Sequence, residues 1–220
     1  DDNSTVERVA ESFYDPAAGG VYVFTSHLSK FGVAYRPAVF SDVGADHWAN
    51  PYVTFLAARG LLDSEGGTYR PDDTATRGEL IQLLAQALSA AKLPAQPVQV
   101  YSDVPATSSL ALASNWVYYN NLAGAITSGG TLRPNAAITR EDMAALLGNT
   151  ASGVGLRLRS KGLDTGYTDL DSVADYARQS VIRLRVAGVL EMTQNYKFNP
   201  DATLNRGEMA QIVASLLSNL

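Results

Sequence analysis

The chain repeats itself three times, and no other feature constrains its fold as strongly. The first unit runs from Phe40-Ser41-Asp42-Val43 through Trp48-Ala49, Gly60-Leu61-Leu62 and Tyr69-Arg70-Pro71 to Thr76-Arg77-Gly78-Glu79. The second reads Tyr101-Ser102-Asp103-Val104, Gly124-Ala125-Ile126, Leu132-Arg133-Pro134 and Thr139-Arg140-Glu141-Asp142. The third reads Tyr167-Thr168-Asp169-Leu170, Gly188-Val189-Leu190, Phe198-Asn199-Pro200 and Asn205-Arg206-Gly207-Glu208. Proline and arginine stand six residues apart in every copy, from Pro71 to Arg77, Pro134 to Arg140 and Pro200 to Arg206. A valine stands seven residues before a glycine each time, Val53 to Gly60, Val117 to Gly124 and Val181 to Gly188. Arg77 to Arg140 is 63 residues and Arg140 to Arg206 is 66, so loops of slightly different length separate otherwise matched units.

Each unit reads as helix, loop, helix. Tyr52, Val53, Phe55, Leu56 and Ala57 give an apolar face at helical spacing, and the glycine after it is the expected C-cap. Asp63 to Gly67 is turn chemistry, and Tyr69 starts a short extended segment that Pro71 stops. A second helix then opens, with Leu80, Ile81, Leu83, Leu84, Ala87 and Leu88 on one face. Its counterparts carry Met143, Leu146 and Leu147, and Met209, Ile212, Val213, Leu216 and Leu217. Three helices with one apolar stripe each bury them most economically against one another, so a mainly α fold with a pseudo-threefold helical hub is expected.

The start of that second helix is the most informative local feature. Thr76 with Glu79 and Asn205 with Glu208 have capping-box spacing, and Thr139 with Asp142 is a shorter-armed version. An arginine directly follows each cap. Open N–H groups and the helix dipole suit an anion, and a guanidinium adds a planar fork matching a carboxylate or phosphate. Gly78 and Gly207 would let a ligand come close to the backbone. The plainer reading is that the caps start helices and the arginines are solvated.

Composition narrows the function classes. With 46% hydrophobic and 18% charged residues the chain is ordinary for a globular protein, and its net charge of −5 gives no sign of a nucleic-acid binder. No cysteine is present, which excludes disulfides and thiolate metal sites. No apolar run is long enough to span a membrane, and the start, Asp-Asp-Asn-Ser, has no signal-peptide character, so any export signal is absent or removed. Phosphate-loop, dinucleotide and nucleophile-elbow motifs are absent, and His27 and His47 lie in different segments without metal-ligand spacing. No catalytic residue, metal site or cofactor is therefore expected.

These residues carry a resemblance. Phe-Ser-Asp-Val, His-Trp-Ala, Gly-Leu-Leu, Tyr-Arg-Pro-Asp-Asp and Thr-Arg-Gly-Glu-Leu resemble the S-layer homology (SLH) repeat of bacterial surface proteins over residues 40–220. The resemblance implies a spindle of three helix-loop-helix repeats around a central three-helix bundle, a monomeric pseudo-trimer whose repeats cover about 40–100, 101–166 and 167–220. It implies binding, in grooves between repeats, of an anionic secondary cell-wall polysaccharide, often bearing a pyruvylated amino sugar, that is linked to peptidoglycan. Arg77, Arg140 and Arg206 are the implied ligand contacts, and the location is extracellular, in the cell wall or S-layer. A protein–protein assembly module of a surface lattice and a cell-wall glycoside hydrolase stay open as alternatives.

The copies are not equivalent. Trp48, either packing or sugar-facing, has Leu112 at its place in the second copy and Tyr176 in the third; Trp116 then aligns with Tyr52 and reads as core. Glu141 directly after Arg140 would repel an anion, so grooves using Arg77 and Arg206 are expected to be stronger and the second copy to have drifted toward structure. Asp42, Asp103 and Asp169 either reach sugar hydroxyls or form turns and caps, the latter favoured. Residues 1–39 stand outside the repeat. Val21 to Thr25 and Phe31 to Pro37 read as a strand pair, the tail of a preceding β-rich region of a larger exported protein, while Leu220 is consistent with a native C-terminus.

Overall fold

A computed structural model describes residues 12–15, 20–23, 40–63, 67–88, 96–164, 166–191 and 195–219. Two short strands, β1 (Ser12–Asp15) and β2 (Gly20–Val23), pair antiparallel with Asp15 opposite Gly20. The expected strand at Val21 thus finds its partner upstream of it, and 31–37 lies outside the described residues. The rest is mainly helical: α1 (Asn50–Ala58), α2 (Arg77–Leu88), α3 (Ala111–Tyr119), α4 (Arg140–Gly153), α5 (Asp175–Val186) and α6 (Arg206–Ser218). Two helices per repeat appear in the expected order. No described helix is long and apolar enough to cross a membrane.

The chain divides into two compact units, residues 1–71 and 72–220. In the first unit, Asp42 closes the segment on itself. Its carboxylate accepts the N–H groups of Tyr69 (2.8 Å) and Arg70 (2.6 Å). Phe40 and Tyr69 pack with ring centroids 5.6 Å apart, over a core that includes Val43, Val53 and Leu56. Helix α1 ends as expected at Gly60, whose φ of 74° lets Gly60 and Leu61 donate back to the carbonyls of Ala57 and Leu56.

The matching C-cap in the second repeat is not Gly124, and this corrects the expected alignment. Asn121 (φ 52°) is the left-handed residue, and Leu122 N–H donates to Val117 O at 2.8 Å as Leu61 does to Leu56. Asparagine tolerates that conformation with little penalty, whereas Gly124 starts a short 3-10 turn, Gly124–Ile126. Backbone bonds Val43 to Phe40, His47 to Gly44 and Asn50 to His47 recur as Val104 to Tyr101, Ser108 to Pro105 and Ala111 to Ser108. Trp48 therefore corresponds to Ser109, and Leu112 corresponds to Pro51. Gly188 (φ 70°) caps α5 in the third repeat, where Tyr176 does take the place of Trp48.

In the second unit the three segments before α2, α4 and α6 form a closed ring of backbone bonds. Ala75 N–H donates to Leu204 O (2.9 Å), Leu204 N–H to Ile138 O (3.2 Å), and Ile138 N–H back to Ala75 O (3.0 Å). Threefold character is thus written into the helix starts. The closest helix packing runs from one repeat to the next, α2 on α3 and above all α4 on α5. Gly148 lies so near α5 that a Cβ there would stand 2.2 Å from Ser180 Oγ. The apolar stripes are buried as expected, with Leu80, Ile81, Leu84, Met143, Leu146, Leu147, Val213 and Leu216 withdrawn from solvent.

Candidate functional site

The caps behave as their spacing predicts. Thr76 and Glu79 exchange bonds, Glu79 N–H to Thr76 Oγ1 (3.3 Å) and Thr76 N–H to Glu79 Oε2 (2.8 Å), and Asn205 with Glu208 forms a complete capping box. At α4 only half of the motif forms. Asp142 N–H reaches Thr139 Oγ1 (3.2 Å), but the Asp142 carboxylate is used elsewhere.

The expectation of open helix N-termini needs correcting. The N–H groups of Arg77, Arg140 and Arg206 donate to the carbonyls of Ala136, Ala202 and Asp73, each in another repeat. Gly78 N–H is taken by Pro134 O and Glu141 N–H by Pro200 O. A Cβ on Gly78 would meet Pro134 O at 3.0 Å and Leu110 Cδ2 at 3.2 Å, so its glycine admits the protein's own backbone. Gly207 is likewise buried. What these helix ends offer outward is side chains.

The three arginines all reach into neighbouring repeats, but differently. Arg77, only 7% exposed, places Nη2 at 2.5 Å from Asp142 Oδ2 and Nη1 at 2.6 Å from Ile126 O, leaving its Nε unpartnered. Arg206 pairs with Glu79 in the same sense: arginine of one repeat to the third helical residue of another. Carried round the ring, that rule would pair Arg140 with Glu208. The pair is absent. Arg140 Nε instead donates to Phe198 O (2.5 Å), with its guanidinium 5.1 Å from the Phe198 ring centre, and no carboxylate engages it among the described residues.

The acidic neighbour expected to weaken this seam has partners in the third repeat. Glu141 accepts the Ala174 N–H (3.0 Å) and the Tyr176 hydroxyl (2.9 Å), and Asp142 Oδ1 also accepts from Tyr176 (2.7 Å). Burial, reinforced by the bonds to Asp142 and Glu141, pushes the Tyr176 phenol far above its usual range. It stays 41% exposed, and its hydroxyl meets the carboxylate that pairs with Arg77, so the aromatic at Trp48's place in the third repeat adjoins the Arg77–Asp142 pair. Ser109 is the exposed residue at that place in the second repeat. Each arginine is thus matched with the following repeat's residues, a pairing that alignment within a repeat cannot display.

Trp48, 46% exposed, stacks on His47 with centroids 5.8 Å apart, while Trp116 is core. The opening aspartates are turn formers. Asp42, Asp103 and Asp169 each bind the two N–H groups of a residue pair whose second member is left-handed, Arg70, Arg133 and Asn199. For Asp42 and Asp103, burial alone would raise the carboxyl pKa, but these backbone bonds together outweigh it and hold each below the usual carboxylate value.

Comparison with known proteins agrees with the architecture. The S-layer homology domain profile matches residues 39–81, 101–144 and 166–210. An amylopullulanase of Thermoanaerobacterium thermosulfurigenes is 27% identical over 92% of this chain, and the exoglucanase XynX of Acetivibrio thermocellus 28% over 94%. An S-layer protein of Bacillus thuringiensis subsp. finitimus is 27% identical over 83%. The chain spans 11%, 18% and 22% of these relatives respectively, a minor part of each.

Proposed function

The chain belongs to the S-layer homology family, and we propose that it anchors a parent protein non-catalytically by binding an anionic, pyruvylated wall polysaccharide between its repeats. Its family and its S-layer relatives place it at the cell surface, associated with the cell wall. The observation that carries the finer reading is Arg140. It sits half-buried where the second and third repeats meet, with no carboxylate partner among the described residues.

A ketal-linked pyruvate supplies a carboxylate that a guanidinium takes up through charge-assisted bonds. At Arg140 that carboxylate displaces nothing. At Arg77 and Arg206 it competes with Asp142 and Glu79, which supports the Arg140 seam as the principal site in place of the expected ranking led by Arg77 and Arg206.

Calorimetric titration with pyruvylated N-acetylmannosamine tests the assignment. Arg140→Ala is expected to abolish measurable binding and Arg140→Lys to weaken it; undiminished binding by Arg140→Ala refutes it. Binding of the chain to cell-wall sacculi is expected to vanish once the attached polymer is stripped. Retention on stripped sacculi by the wild type and Tyr119→Ala alike would favour lattice assembly over polysaccharide anchoring.

A further inference from the structure

The second repeat carries an open cavity of about 480 Å³ that its symmetry mates lack the residues to build. Its walls include Tyr101, Tyr118, Tyr119, Asn121 and Thr127, over a floor containing Val117. Tyr118 and Tyr119 are 50% and 62% exposed. Aligned through the helix-ending residues Gly60, Asn121 and Gly188, they replace Ala57 and Ala58 in the first repeat and Arg185 and Val186 in the third. The fold therefore does not require aromatics there. Neither hydroxyl has a hydrogen-bond partner among the described residues.

The rings are held in place. Tyr101 and Tyr118 meet edge-on with centroids 5.6 Å apart, and Tyr118 and Tyr119 do so at 5.4 Å. Tyr101 is buried and anchors the row. Such T-shaped pairs fix aromatic faces without further support, and a partly apolar cavity with a few polar groups at its edge is the usual form of a small-ligand site. None of the lining residues is charged. The nearby Asp103 carboxylate already accepts the Leu132 and Arg133 N–H groups.

We propose that this cavity binds a neutral hexopyranose unit, a second glycan subsite distinct from Arg140 and its contacts on Phe198. The axial C–H face of a pyranose packs on the exposed tyrosine rings, and its equatorial hydroxyls meet the phenols, the Asn121 amide and the Thr127 hydroxyl. Among the described residues the lining offers an anionic ligand no charge to pair with. The subsite adds avidity to a polymer chain held elsewhere on the same domain, and it functions whether or not Arg140 binds pyruvate.

The test is a titration of the intact chain with N,N′-diacetylchitobiose followed by amide NMR. Saturable shifts are expected at Tyr119, Asn121 and Thr127, with the Arg140 amide unmoved. Tyr119→Ala, which removes an exposed ring, is expected to weaken binding about tenfold at an unchanged melting temperature, and Arg140→Ala to leave it intact. Tyr118→Phe, which keeps the packing and removes one hydroxyl, is expected to weaken it less. Absence of saturable shifts, equal binding by Tyr119→Ala, or loss of binding in Arg140→Ala overturns the proposal. On sacculi, a Tyr119→Ala defect that persists after polymer removal assigns the sugar to peptidoglycan, and one that disappears assigns it to the polymer. No defect on either overturns the subsite.

Discussion

Arg77 and Asp142 lie 65 residues apart in the chain, yet their side chains meet at 2.5 Å, both almost wholly out of solvent. The pair joins the first repeat to the second, and Tyr176 of the third repeat donates to the same aspartate, so one carboxylate gathers all three copies. Removing one partner of a buried ion pair strands the other. Arg77→Ala or Asp142→Ala is expected to destabilise the fold by about 3 kcal/mol, read by urea denaturation. A loss below about 1 kcal/mol would show that the pair does not hold the repeats together.

Arg140 is expected to behave oppositely. Its truncation removes one bond to a carbonyl and one ring contact and leaves no buried carboxylate unpaired, costing about 1 kcal/mol. Thermal melts of Arg77→Ala and Arg140→Ala should therefore separate clearly, with Arg140→Ala close to the wild type. Equal destabilisation would mean that the two arginines have the same structural role.

The repeat-opening aspartates make stability sensitive to acid. The carboxyl pKa values of Asp42 and Asp103 are lower in the folded chain than in the unfolded one, so their contribution is fully present above the unfolded value, about 4. It is lost as pH falls through the lower folded value. Stability measured between pH 5 and pH 2 should drop less steeply in Asp103→Asn than in the wild type, from a lower plateau. An unchanged slope would contradict the turn-clamp role.

Gly148 is expected to be intolerant of any side chain. An added Cβ would lie 2.5 Å from Ser180 Cβ as well as against Ser180 Oγ, forcing α4 and α5 apart. Gly148→Ala should cost about 1–3 kcal/mol, and the double change with Ser180→Gly should recover part of it. Denaturation of the single and double variants measures the coupling, and additivity would rule out the contact as the cause.

Alkaline titration gives an independent readout of the tyrosine row. Burial, with smaller contributions from Tyr118 and Asp103, pushes Tyr101 up to about 12. The fold favours the neutral phenol, so this contribution is complete below the ordinary tyrosine value near 10 and declines as pH rises toward 12. Absorbance of the phenolate in Tyr101→Phe should lack one late-titrating group. Loss of an early group instead would show that Tyr101 is not buried.

Features that depend on a few consecutive residues were legible in the sequence. The number of repeats, the two helices in each, the starts of α2, α4 and α6, and the capping bonds Thr76–Glu79 and Asn205–Glu208 all follow from hydrogen bonds and side-chain periodicity within about one turn. Even the left-handed Asn121 had a local signal, since Asn121-Leu122 parallels Gly60-Leu61, although the glycine at 124 drew the alignment away from it. The tertiary structure alone decided where each arginine points. Arg77 meets Asp142, Arg206 meets Glu79, and Arg140 meets a backbone carbonyl, although all three follow a cap residue in the same way. The physical reason is range: a cap satisfies donors three residues away, whereas the partners of these guanidinium groups lie 49 to 127 residues distant and are brought close only when the repeats interlock.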